Sequence, residues 1–278
     1  MQFEIPYNFD PMYVDFMGSI PGLLDPVSCI FVQSLLKDAV SSDRVVTPYP
    51  IPDTVDEYVQ HIKNLTRLGK PIYVLYQFPN EVDHNAGLDF YKSIGISGII
   101  TTDDNVAIMA KSKGMYTICS MLKFLTFDDY FTQDLSMYDE VCLSHAFCRG
   151  LDAVKLLPKK YNYQILVNNN LCVYNCSNCL IHSKTGKAMC KHLRDTEEKL
   201  KKNGCGYNHE DLQYFEPYIK TFKVQGREFE TFGIFTHLLR LYGNTDKSEY
   251  IDHDMDWFNS AITDGIIDIS RAKDYKEI

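Results

Sequence analysis

The chain has 278 residues, is 45% hydrophobic and 23% charged, and carries a formal net charge of −9. That length buries a full core, and a single α/β barrel of about 250 residues would use nearly all of it. The acidic balance excludes a global basic field for nucleic acid, and no apolar run approaches the roughly 18 residues of a membrane span.

The N-terminal "MQFEIPYNFD" has no basic region followed by an apolar one, so no signal peptide is expected and the protein reads as soluble and cytoplasmic. Short apolar runs then alternate with segments of helical period. The runs are Phe3–Pro6, Cys29–Gln33, Ile72–Tyr76, Gly98–Thr101, Tyr116–Ser120, Glu140–Leu143, Gln164–Val167 and Thr221–Val224. They are rich in Val, Ile, Tyr and Phe, as buried parallel strands are. Between the second and third runs, Asp53 to Glu57 opens a helix with acidic residues in its first turn, and Gly69 closes it. Thr102-Asp103-Asp104 caps another, with Gly114 beyond its end. Eight such units predict an α/β fold, a (β/α)8 TIM-like barrel over residues 1–243. Residues 244–278 are expected to form a C-terminal helical appendage of the same domain.

Strand seven runs through "ILVNNN" into "LCVYNCSNC", a cysteine-rich loop expected at the C-terminal face, where barrel active sites are built. "PYNFD" after strand one and "KVQGRE" after strand eight share that face. Arg227, following Gly226, suits bidentate capture of an anion or carboxylate, or a salt bridge that ties the rim.

The protein has nine cysteines, and five of them are Cys172, Cys176, Cys179, Cys190 and Cys205. In a reducing cytosol such clustering favours metal binding or catalysis over disulfides. Four thiolates suit a tetrahedral zinc or a cubane 4Fe–4S cluster. Cys172 and Cys176 are the firmest ligands; Cys190 and Cys205 come next, and Cys179 is the alternate. His182 or His192 could complete a zinc site. Cys119 and Cys142 read as core thiols, and so does Cys29, although its place near an end of strand two would let it reach the mouth. The spacing C-x3-C-x2-C is that of radical-SAM enzymes, but those place it after the first strand, whereas here one strand follows. Lys184, Lys187, Lys191, Arg194, Lys199, Lys201 and Lys202 form the one basic concentration, read as a solvated helix face.

These residues resemble the peptidase U32 family, often called collagenase-like proteases. "IPYNFDP" looks like that family's first strand and loop, and "ISGIITTDDNVAIMAK" like its strand-four unit. "ILVNNNLCVYNCSNCLIH" is similar to its Asn-containing strand end followed by Cys-x3-Cys and His, and "YIKTFKVQGRE" resembles its closing "FKI-x-GR" element. The family often has Cys-Pro-[Tyr/Phe]-Arg where this chain has Cys176-Ser177-Asn178-Cys179. The resemblance implies a barrel with a cysteine cluster. Family members act in oxygen-independent hydroxylation of RNA or ubiquinone precursors, some with a 4Fe–4S cluster, and others are labelled peptidases.

The leading expectation is therefore an iron–sulfur barrel enzyme that hydroxylates, or otherwise modifies by redox chemistry, an RNA base or a small-molecule precursor. Cys172, Cys176, Cys190 and Cys205 would hold the cluster. Asn168, Asn170, His182 and Arg227 would line the substrate side, with Tyr7, Asn8 and Asp10 facing it across the mouth. The alternatives are a peptidase using zinc or a cysteine nucleophile such as Cys179 beside His182, and a zinc-stabilised scaffold without catalysis. A homo- or heterodimer is compatible with each.

Overall fold

The computed structural model describes residues 1–35, 49–77, 83–143, 151–167, 209–224 and 230–242. The strands are β1 Phe3–Pro6, β2 Val27–Gln33, β3 Ile72–Leu75, β4 Gly98–Thr101, β5 Tyr116–Cys119, β6 Glu140–Cys142, β7 Tyr163–Leu166 and β8 Thr221–Lys223. They pair in sequence order, all parallel, and β8 closes on β1 through Phe3↔Phe222 and Glu4↔Lys223. The expected eight-stranded barrel is thus the observed one. Its helices are α1 Tyr13–Ser19, α2 Val55–Thr66, α3 His84–Ser93, α4 Asp104–Ser112, α5 Asp129–Thr132, α6 Leu151–Lys155, α7 His209–Phe215 and α8 Thr231–Tyr242. Residues 244–278, expected as an appendage, lie outside the described residues.

Local chemistry explains the helix ends. Thr54 is extended and its hydroxyl accepts from Glu57 N at 3.2 Å, while Asp56 and Glu57 complement the positive end of α2. The buried residues of α2 are Tyr58, Ile62 and Leu65, a spacing that puts one apolar stripe against the sheet. Gly69 then turns the chain with φ of 66°. The Asp103 carboxylate caps α4, accepting from Asn105 N at 2.8 Å and Val106 N at 3.1 Å.

Because strand side chains alternate, each strand feeds two cores. Phe3, Ile5, Ile30, Val32, Ile72, Val74, Ile99, Val141, Ile165 and Phe222 face outward into the large core shared with the helices. Phe31, Leu75, Ile100, Ile118 and Cys142 form a separate buried cluster inside the barrel, with Tyr73 and Tyr116 packed against it. Tyr73 stacks on Tyr116 at 5.4 Å and 10°. Residue 98 must be glycine for this: a Cβ there would lie 2.5 Å from the Tyr73 ring.

One expectation changes. β2 begins at Val27, two residues before the expected start, and Cys29 is its third residue, a buried core thiol paired in register with Glu4. The apolar run starts at Cys29 only because Ser28 interrupts it. Ser28 is accommodated by donating to Phe3 O at 3.0 Å.

Candidate functional site at the C-terminal face

The β1 loop is held by its own polar side chains. Asn8 Oδ1 accepts from Asp10 N at 3.1 Å, and Asp10 Oδ1 accepts from Met12 N at 2.8 Å, which turns the chain into α1. Between them Phe9 sits in the left-handed region at φ 64°. That conformation costs a non-glycine residue about 1 kcal/mol or more, and the loop bonds and aromatic packing around Phe9 hold it there. Phe9 lies edge-on to His61 and packs against Tyr7 and Tyr58.

Across the loop, Asn8 Nδ2 donates to Thr231 Oγ1 at 3.2 Å, and the Thr231 hydroxyl donates to Asp10 Oδ2. Tyr49 lies beside Glu230 and Asp10: burial first, and then these two carboxylates, raise its pKa. These contacts tie the end of β1 to the start of α8. On the other side of residues 225–229, Lys223 pairs with Glu4 of β1. Both flanks of the segment bearing Arg227 are therefore anchored to β1.

Tyr7, Asn8 and Asp10 are 1%, 0% and 2% exposed. Tyr7 shares the outward parity of Phe3 and Ile5, and its hydroxyl meets His61 Nδ1 at 2.6 Å. Burial, and then the Asp10 charge, raise its pKa well above the ordinary tyrosine value. Their polar groups are engaged within the protein and position the loop. Asn168, Asn170, His182, Arg227 and Cys172, Cys176, Cys179, Cys190 and Cys205 lie outside the described residues.

Burial lowers the His61 pKa, partly opposed by Glu57. A histidine whose folded pKa lies below its unfolded value of about 6.5 binds fewer protons when folded, so its contribution is complete above that value and is lost as pH falls. Wild-type Tm is expected to fall more steeply between about pH 6.5 and 5 than that of His61→Gln; parallel curves would refute the assignment.

Inside the barrel lies a polar set that the sequence pattern did not reveal. Gln164 Nε2 donates to Glu4 Oε2 at 2.8 Å, Lys223 Nζ pairs with Glu4 Oε1, and that ammonium lies 4.1 Å from the Phe31 ring centroid. Toward the N-terminal end, Tyr116 donates to Glu140 Oε1 at 2.6 Å, and Lys220 Nζ donates to the Tyr116 hydroxyl at 2.8 Å. Barrel interiors are ordinarily filled by branched apolar residues, so this half-polar lumen is the departure from type. The available signal was a charged or amide residue inside some of the runs, among them Glu4, Glu140, Gln164 and Lys223.

The described cysteines are structural. Cys29, Cys119 and Cys142 are buried in strands. Burial pushes the Cys119 thiol up to about 12, and burial followed by the Glu4 charge raises Cys29 well above its ordinary value. Neither is the thiolate that ligation or nucleophilic attack requires. No helix among the described residues is long and apolar enough to cross a membrane.

The ends of β7 and β8 meet directly, with Val167 N donating to Lys223 O at 3.1 Å. β7 and β8 therefore end at one place on the C-terminal rim. A cleft of about 710 Å³ lies at the opposite end, lined by Tyr116, Tyr138, Asp139, Tyr161 and Lys220 among others. Those residues precede or begin strands, and in barrels that face serves stability rather than chemistry.

No protein-family profile and no curated protein sequence matches the chain. Solved structures do. A U32 peptidase, Mk0906, is 10% identical and matches over 81% of this chain and 93% of its own, with a TM-score of 0.51. The tryptophan synthase α-subunit of Pyrococcus furiosus, in its α2β2 complex, is 11% identical over 87% of this chain and 97% of its own, with a TM-score of 0.52. At these identities the likeness is one of fold. The family resemblance carried by the sequence motifs is thus accompanied by a TIM-barrel architecture that the chain shares with a U32 peptidase.

Proposed function

We propose that the chain is a U32-like barrel enzyme whose reaction centre lies at the C-terminal rim, beside an iron–sulfur cluster held by Cys172, Cys176, Cys190 and Cys205. The observation that carries this reading is the contact between the ends of β7 and β8, from which the cysteine and Arg227 segments continue. It gains support from the core roles of Cys29, Cys119 and Cys142, which set those three thiols apart from the clustered ones. Four thiolates are a donor set that fits a 4Fe–4S cluster. When bound, the cluster supplies one-electron transfer.

The rest is the work of this chain's side chains. Asn8, Asp10 and Thr231 fix the flank of the Arg227 segment, and Arg227 would hold an anionic group of the substrate. Asn168, Asn170 and His182 would hydrogen-bond the substrate. The substrate class proposed is an RNA base or a small-molecule precursor, and the transformation a hydroxylation or related redox modification.

Single Cys→Ser substitutions test the ligand set in protein purified without oxygen. Changes at 172, 176, 190 and 205 should each abolish most of the visible thiolate-to-iron absorption, while Cys29→Ser and Cys142→Ala keep it. Retention of full absorption in any of the four would remove that residue from the set; loss in Cys179→Ser instead would install Cys179 there. Peptide cleavage that disappears in Cys179→Ala and His182→Ala would favour the peptidase alternative.

A further inference from the structure

Two buried oxygen atoms in the lumen have no hydrogen-bond donor among the described residues: Glu140 Oε2 and Gln164 Oε1. Their residues are 5% and 1% exposed. Leaving such acceptors bare costs about 1–3 kcal/mol each, so a donor is expected. They project inward from neighbouring strands, since Gln164 pairs with Cys142 and Glu140 precedes Cys142 by two residues.

Each orphan terminates one half of the lumenal network. On one side, Lys220 donates to Tyr116 and Tyr116 to Glu140 Oε1, with Lys220 also 3.3 Å from that oxygen. On the other, Lys223 donates to Glu4 and Gln164 Nε2 donates to Glu4 Oε2. The Gln164 amide cannot flip to satisfy Glu140, because its oxygen would then face the Glu4 carboxylate. The four charged groups, Glu4, Glu140, Lys220 and Lys223, already balance, so the missing group is neutral. A single group that serves both oxygens must donate twice.

We propose that one buried water binds between Glu140 Oε2 and Gln164 Oε1 and joins the two halves into a continuous hydrogen-bonded relay. The relay runs from Lys220, at the cleft on the N-terminal face, to Lys223, the last residue of β8. It couples the charge at that cleft to the ammonium of Lys223. This inference does not depend on the cysteine segment or on the nature of the reaction.

A high-resolution crystal structure of the wild-type protein should show a water within about 3 Å of both oxygens. A direct Glu140–Gln164 contact, or a metal ion at about 2.3 Å from the oxygens, would overturn the assignment. The coupling is read by NMR from the Lys223 Nζ resonance in a double-substitution cycle. Lys220→Met should shift that resonance, and the shift should shrink at least twofold when Gln164 is replaced by Leu, or by Met if Gln164→Leu does not fold. An equal shift in both backgrounds would reveal plain Coulomb interaction, and no shift in the first would show no coupling. Either outcome refutes the relay.

Discussion

Lys223→Met is expected to lower stability by about 3–5 kcal/mol in chemical denaturation, because it leaves the Glu4 carboxylate buried and uncompensated. Glu4 is fully buried, and its two oxygens are held by Lys223 and Gln164. Paired with a buried ammonium, the carboxylate is tolerated; alone, it keeps one amide donor in a lumen lined by Phe31, Leu75 and Ile100. The double variant Glu4→Gln/Lys223→Met removes both charges and should recover most of the loss. If the single variant is as stable as wild type, the lumen is wetter than its burial indicates, and the ion pair does not secure the β1–β8 closure.

Gly98→Ala is expected to cost about 1–3 kcal/mol by overpacking, against the usual gain of up to about 1 kcal/mol for replacing a glycine whose backbone any residue can adopt. The new Cβ would sit 2.5 and 2.7 Å from two Tyr73 ring carbons and 2.8 Å from the Tyr116 carbonyl oxygen. The ring cannot simply rotate away, since it stacks on Tyr116. The carbonyl belongs to the β4–β5 ladder and cannot retreat without opening it. The urea midpoint should fall with an unchanged slope. Adding Tyr73→Leu should relieve the two ring contacts and leave the carbonyl contact. A neutral Gly98→Ala would mean that β4 and β5 part more easily than their pairing implies.

The fold was legible because a parallel barrel buries both faces of every strand. Gly98–Thr101 and Phe3–Pro6 read as apolar runs with the bounds they have in the structure. β2 was shortened at its start because Ser28 looks like a break to a hydrophobicity pattern, although its hydroxyl finds a carbonyl. The lumenal charges were hidden by the same logic. Glu4 and Lys223 stand in different strands, far apart in sequence, and become partners only when β8 closes on β1. The β1 loop shows a third limit. "PYNFD" reads as a loop facing the mouth, but strand parity sends Tyr7 outward to His61, and the left-handed turn at Phe9 brings Asn8 and Asp10 to Thr231. Parity was available from Phe3 and Ile5; the turn was not, because nothing in the residue type of Phe9 demands it.

A cluster held where β7 and β8 end, as proposed, requires iron and sulfide in the protein. Iron and acid-labile sulfide content, measured on protein purified without oxygen, tests it most directly. About four irons and four sulfides per chain are the expected result. A colourless protein holding one zinc per chain and no sulfide would contradict it.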